Sequence, residues 1–275
     1  MNALMTTYSP ALGIGIACVG AQLLLSGLFA MMPSGPWRAQ PGYTAHQVIS
    51  FATMVYVTAV GARAWFHPDA ALTAASRTML GRSIEPQSVG EHLSHVLLGS
   101  NVLWDIPMGF LSESLRVRSN ARLMFMHHAA VVLLSYLTIA LPFFQYYSVF
   151  FFGVIEISSA PMALMDLCHP RNVGWSKLAQ SNATLKAFNA ASRAVFALTY
   201  MLVRALYFPY VMAVGVVPDL LELLGAAEPP VPKWVVTIFL VSAGLLTALQ
   251  LYWAKLLVDA ATGGGGSGAG TKKAS

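Results

Sequence analysis

The sequence predicts an all-α polytopic membrane protein of about seven transmembrane helices. Of its 275 residues, 56% are hydrophobic and only 10% are charged, against about 25% charged in an ordinary soluble domain. The mean hydropathy is +0.62. Seven apolar stretches have the length, roughly 17–25 residues, that a helix needs to cross a bilayer. This composition excludes a soluble globular enzyme, a disordered chain and a nucleic-acid binder. The formal net charge of +5 is spread along the chain rather than gathered in one patch, as in a membrane protein with a basic cytoplasmic side.

The first span, Ala11–Met32, follows no basic n-region, so it reads as a retained helix rather than a cleaved signal peptide. His46–Phe66 is the second. The third, Glu91–Leu111, is the most polar, with Glu91, His92 and His95 at one end and Asp105 inside it. Leu123–Leu141 and Tyr146–Met165 are joined by so short a link, Pro-Phe-Phe-Gln, that they must form an antiparallel hairpin. Lys186–Val211 is the sixth span. Asp219-Leu-Leu-Glu-Leu-Leu is too short to span and reads as an amphipathic turn in the interface. Trp234–Val258 is the seventh. The chain divides into an N-terminal span and loop (1–45), a six-helix membrane domain (46–258) and a flexible tail (259–275).

Charge placement sets the orientation. One side of the membrane receives Arg38, Arg116, Arg118, Arg122, Arg171, Lys177, Lys186, Lys255, Lys272 and Lys273. The other receives Arg63, Arg77, Arg82 and Lys233. Ten against four puts the C-terminus in the cytosol and the N-terminus in the lumen or outside. The tail is glycine-rich from Gly263 to Gly270 and ends Lys272-Lys273-Ala274-Ser275. Lysines at the third and fourth positions from the end resemble the dilysine signal for return to the endoplasmic reticulum, and they also read as a solubilising basic tail. Cys18 and Cys168 lie in or beside apolar stretches and suggest neither a disulfide framework nor a thiolate metal site.

The informative residues are the polar ones inside the spans. An ionisable group in the bilayer core costs about 3 kcal/mol or more, so it faces a cavity or a partner. Asp105, His127, His128, Glu156 and Arg193 come from four spans, and a rise of 1.5 Å per residue puts them all in the cytoplasmic half. Asn101, Ser158, Ser159, Asn189 and Gln250 are weaker polar companions. Together they predict one polar chamber open to the cytosol. Arg204 falls deeper and reads as a side chain that snorkels to the lumenal surface.

His127 and His128 are adjacent, so on a helix they point about 100° apart and do not share a metal ion easily. His92 and His95 have a three-residue spacing but lie at the opposite membrane face. No metal is expected. A retinal pigment would need a buried lysine in the last span, and Lys255 stands at that span's cytoplasmic end. What remains is acid–base or nucleophilic work by a histidine, with a carboxylate to fix its tautomer and stabilise the imidazolium. The doublet also reads as a pair of interfacial residues beside Arg122.

The ordered set Trp104-Asp105, Met126-His127-His128, Gly153-Val-Ile-Glu156-Ile-Ser158-Ser159-Ala-Pro161, Asn189, Arg204-x-x-x-x-Pro209 and Leu249-Gln-Leu-Tyr-Trp253 resembles the TLC-domain family. That family includes the ceramide synthases and the translocating-chain-associated membrane protein, and the resemblance runs from about Gln47 to Leu257. It implies a multi-span bundle, usually in the endoplasmic reticulum. In the ceramide synthase branch it implies acyl transfer from acyl-CoA, as co-substrate, to a sphingoid amine, and His127 and His128 match that branch's doublet. Where that branch has a His-Asp pair with a second aspartate, this chain has Glu156-Ile-Ser-Ser. It therefore looks closer to TLC-domain proteins outside the ceramide synthases.

Three functions follow as expectations. One is an enzyme that transfers an acyl chain to or from a membrane lipid, with His127 or His128 as base or acyl carrier. Asp105 and Glu156 would orient and charge-balance the histidine, and Arg193 would attract an anionic head group or the phosphates of CoA. The second is a non-enzymatic protein that binds or senses lipid in the same chamber. The third, a carrier, is disfavoured because the sequence shows no internal repeat and no pair of broken helices. No bound cofactor is expected.

Overall fold

The computed structural model describes residues 2–111, 121–170 and 172–263. Arg116, Arg118, Arg171, Lys272, Lys273 and most of the glycine-rich tail lie outside them. Every element is helical, as it must be in a chain whose backbone groups find no water partners in the bilayer. The long elements are α1 (Asn2–Met31), α2 (Pro41–Phe66), α3 (88–111), α4 (Ala121–Ala140), α5 (Gln145–Leu167), α6 (Ala183–Gly225) and α7 (Lys233–Ala261). Among the described residues six helices are long and apolar enough to cross a membrane. The chain is a polytopic helical membrane protein.

The element outside that set is α3, whose polar residues hold its hydropathy below that of the other six. It is nonetheless continuous through its π turn, is buried from Leu93 to Asn101, and packs against α1 and α4. A second difference concerns α6. The Asp219 segment does not lie apart in the interface but continues the sixth span, giving a helix of 43 residues. At 1.5 Å per residue that is about 65 Å, twice a hydrocarbon core of about 30 Å. Two turns of π geometry, Tyr200–Tyr207 and Met212–Val216, interrupt it.

Lipid-facing surfaces are apolar, as Leu23, Leu24, Leu206 and Leu245 show. With no hydrophobic driving force between helices in lipid, small residues set the contacts. A Cβ on Gly61 of α2 would lie 2.4 Å from Cα of Gly153 in α5. One on Gly99 of α3 would lie 2.0 Å from the Ala11 carbonyl oxygen of α1. Behind these contacts an aromatic core of Phe143, Phe144, Tyr147, Phe150 and Phe208 is closed to solvent. The link between α4 and α5 turns at Phe144, held at φ 67°, and both helices pack on α3.

On the face away from the histidine doublet, two short helices, Ala70–Ala75 and Met79–Ile84, are capped by Asp69 and Thr78. Arg82 in the second clamps α6, with Nε donating to Asp219 Oδ2 at 2.7 Å and Nη2 to Oδ1 at 2.6 Å. Tyr147 donates to the same carboxylate at 2.7 Å. The hydrogen bonds to Asp219 push the Arg82 pKa above its ordinary value, although partial burial opposes them.

Candidate functional site

Three irregular turns put charged side chains at the centre of the bundle. Asp105 ends the π turn Asn101–Asp105, Glu156 lies in the 3-10 turn Val154–Ser158 that breaks α5, and Arg204 lies in the π turn Tyr200–Tyr207. Each turn changes the helical pitch and so re-aims one residue relative to its neighbours. The break in α5 also means that the chain does contain an interrupted span, which its composition does not announce.

Asp105 bridges two histidines. Its Oδ2 lies 2.8 Å from Nδ1 of His128 and its Oδ1 lies 3.2 Å from Nε2 of His46. A carboxylate accepts, so Nδ1 of His128 carries the proton and Nε2 is its basic nitrogen. His46 itself packs against Trp104, ring centroids 4.7 Å apart and planes tilted by 34°. Trp104 in turn donates to Gln22 of α1 at 3.1 Å, and Gln22 donates to the Gly42 carbonyl at 2.8 Å. The acid–base pair therefore rests on a chain of contacts from α1 through α3 and α2 to α4.

The second cluster is built on Arg204. Its Nε donates to the Ile155 carbonyl at 3.1 Å and to Ser158 Oγ at 2.8 Å. Its Nη2 donates to Glu156 Oε2 at 3.1 Å and to Ser159 Oγ at 2.9 Å. Ser159 also donates to Glu156 Oε2. Arg204 is thus buried and paired, and does not snorkel to a surface. The reason lies in α6, which runs well past Val211, so that Arg204 stands at the middle of its helix rather than near the end.

Both clusters open on one cavity of about 450 Å³. Asn101, Asp105, His127, His128, Glu156, Ser158, Ser159 and Arg204 all border it, with His46. A smaller, mainly apolar pocket of about 50 Å³ shares His127, Val131 and Glu156 with the first cavity. Its walls include Phe151, Phe208, Met212 and Phe239, and Gln250 borders it. Gln250 Oε1 is occupied by the Tyr200 hydroxyl at 2.8 Å. Asn101 uses its amide on its own helix, donating to the Leu97 carbonyl. Arg193 is exposed and Asn189 half-buried, and neither borders the cavity. His127 faces differently from its neighbour. It packs edge-on to Trp253, centroids 6.0 Å apart, and its Nδ1 is buried without a partner.

His46 is the residue that sequence reasoning misses. It opens the second span at the end that faces His127 and His128, which is a usable signal for a titratable group. Among the described residues no three of His, Cys, Asp and Glu are grouped to hold a metal ion.

Residues 44–259 match the TLC domain (TRAM, LAG1 and CLN8). No curated protein and no solved structure matches the chain. The match spans most of the sequence and takes in both clusters, leaving α1 with Gln22 outside it. The chain belongs to the TLC-domain family.

Proposed function

We propose that this protein is an enzyme that transfers an acyl chain to or from a membrane lipid, with His128 as its base. One observation carries the reading: a single cavity joins the Asp105–His128 pair to the mouth of an apolar pocket. The cavity would hold the reacting carbonyl and most of the hydrocarbon, and the small pocket would take a methylene or two at its inner end. An acceptor hydroxyl or amine gives its proton to His128 Nε2 as its oxygen or nitrogen bonds to the acyl carbon. When the tetrahedral intermediate collapses, the bond to the leaving group breaks and His128 returns the proton to it. Asp105 stabilises the imidazolium between these steps. Acyl-CoA is the proposed donor and a membrane lipid the acceptor. We place the C-terminus in the cytosol on the ten-to-four charge balance, and the protein in the endoplasmic reticulum on its TLC-family membership and dilysine-like tail.

The test is lipid analysis of null cells that express wild type, His127→Ala or His128→Ala at equal levels. His128→Ala should lose about 10²-fold or more in rate and leave the null profile unchanged. His127→Ala should lose less. If both variants restore the profile as fully as wild type, the chamber binds lipid without reacting.

A further inference from the structure

The Glu156–Arg204 pair is more than a neutralised charge. Each residue is more than nine-tenths buried, yet each keeps one polar atom out of the network. Arg204 uses Nε and Nη2, and Glu156 uses Oε2. The described residues give Arg204 Nη1 and Glu156 Oε1 no partner, and neither atom is sealed inside the protein. Both residues border the cavity. A donor and an acceptor thus remain on a pair whose net charge is zero.

We infer that the Glu156–Arg204 pair selects an uncharged lipid head group with one hydrogen-bond donor and one acceptor, a hydroxyl or carboxamide, whose hydrocarbon chain runs along the apolar walls of the main cavity. Charge decides the class. An anionic head group bound to Arg204 would meet the Glu156 carboxylate, and a cationic one bound to Glu156 would meet the guanidinium. For side chains this deeply buried, either encounter costs more than it does in water. A neutral hydroxyl or amide satisfies both atoms, and each bond is strengthened by the charge on the protein side. The lining of the cavity agrees. Glu156 and Arg204 share the cavity with Leu97, Val131, Leu256 and Leu257, so a head group held there has apolar walls beside it for its chain.

This rests on the reading of the chamber as a lipid site, but it makes no use of His128. The test uses purified full-length protein in phosphatidylcholine nanodiscs, labelled with a diazirine analogue of oleyl alcohol. Adducts are located by mass spectrometry. Oleyl alcohol, oleamide, oleyl sulfate and oleyltrimethylammonium compete, so chain length is constant and only the head group varies. Labelling should fall on residues that line the cavity, and the alcohol and amide should compete at least about tenfold better than either ion. Glu156→Gln leaves the guanidinium unbalanced and should improve the sulfate about tenfold relative to the alcohol. Wild type in which either ion competes as well as the alcohol, or labelling elsewhere, overturns the inference. So does folded Glu156→Gln with an unchanged ranking. Should that variant not fold, the wild-type ranking decides alone. Acyl transfer is read separately, in the lipid profile of cells, so its failure leaves the head-group ranking standing.

Discussion

Gln22 accepts a hydrogen bond from the Trp104 indole at 3.1 Å and is itself only 2% exposed, on a helix that otherwise turns mostly to lipid. One side chain of the N-terminal helix thus holds the ring against which His46 packs.

Gln22→Leu leaves the buried Trp104 N–H without an acceptor. The cost is about 1–3 kcal/mol, read as a lower midpoint of thermal unfolding in detergent. Gln22→Glu can still accept from Trp104 and should recover part of the loss.

Asp105→Asn keeps the volume but removes the charge between His46 and His128. An amide can donate to His128 Nδ1 and so favour the wrong tautomer, with the proton on Nε2. Lipid turnover should fall about 10²-fold or more while the protein remains folded. Wild-type turnover in this variant would remove Asp105 from the mechanism.

Arg82→Met leaves the Asp219 carboxylate, 3% exposed, with no cation and only the Tyr147 hydroxyl as donor. Breaking one side of such a buried pair costs about 3–5 kcal/mol. The double variant Arg82→Met with Asp219→Leu removes both charges and should regain most of that stability. Denaturant titration of the three proteins measures the difference.

Gly61→Ala drives a methyl group against the backbone of Gly153, 2.4 Å away. Overpacking at a rigid contact costs about 1–3 kcal/mol. Gly13→Ala is the matched control, because nothing lies within 4 Å of its Cβ position, and its unfolding midpoint should not drop.

Protease protection in sealed microsomes checks the orientation. A C-terminal tag should be cleaved and an N-terminal tag protected. The reverse pattern would overturn the charge-based topology and the dilysine reading together.

Much of the site is legible in the sequence because a charge inside an apolar run has few physical explanations. That alone singles out Asp105, His127, His128 and Glu156, and the structure arranges all four around one cavity. Geometry is less legible. Assigning depth at a constant rise assumes regular helices of known length, and α6 violates both conditions. A constant rise therefore puts Arg204 near a membrane surface and Arg193 in the chamber, whereas Arg204 borders the cavity and Arg193 is exposed. His46 is hidden for a different reason: a histidine at the start of a span is ordinary until the fold brings a carboxylate to it. Gln22 gives no signal at all, since one amide in a long apolar helix has no periodic pattern to betray its partner.

The pairing of Glu156 with Arg204 also constrains how the chain is made. The two residues are 48 positions apart, so the ribosome delivers the carboxylate well before the guanidinium that balances it. For that interval α5 holds an acidic residue with only its nearby serines as company. Releasing it into lipid at once would cost about 2.5–3.5 kcal/mol. The segment from Gly153 to Arg204 is therefore best handed over by the insertion machinery as one unit, with α5 retained until α6 arrives.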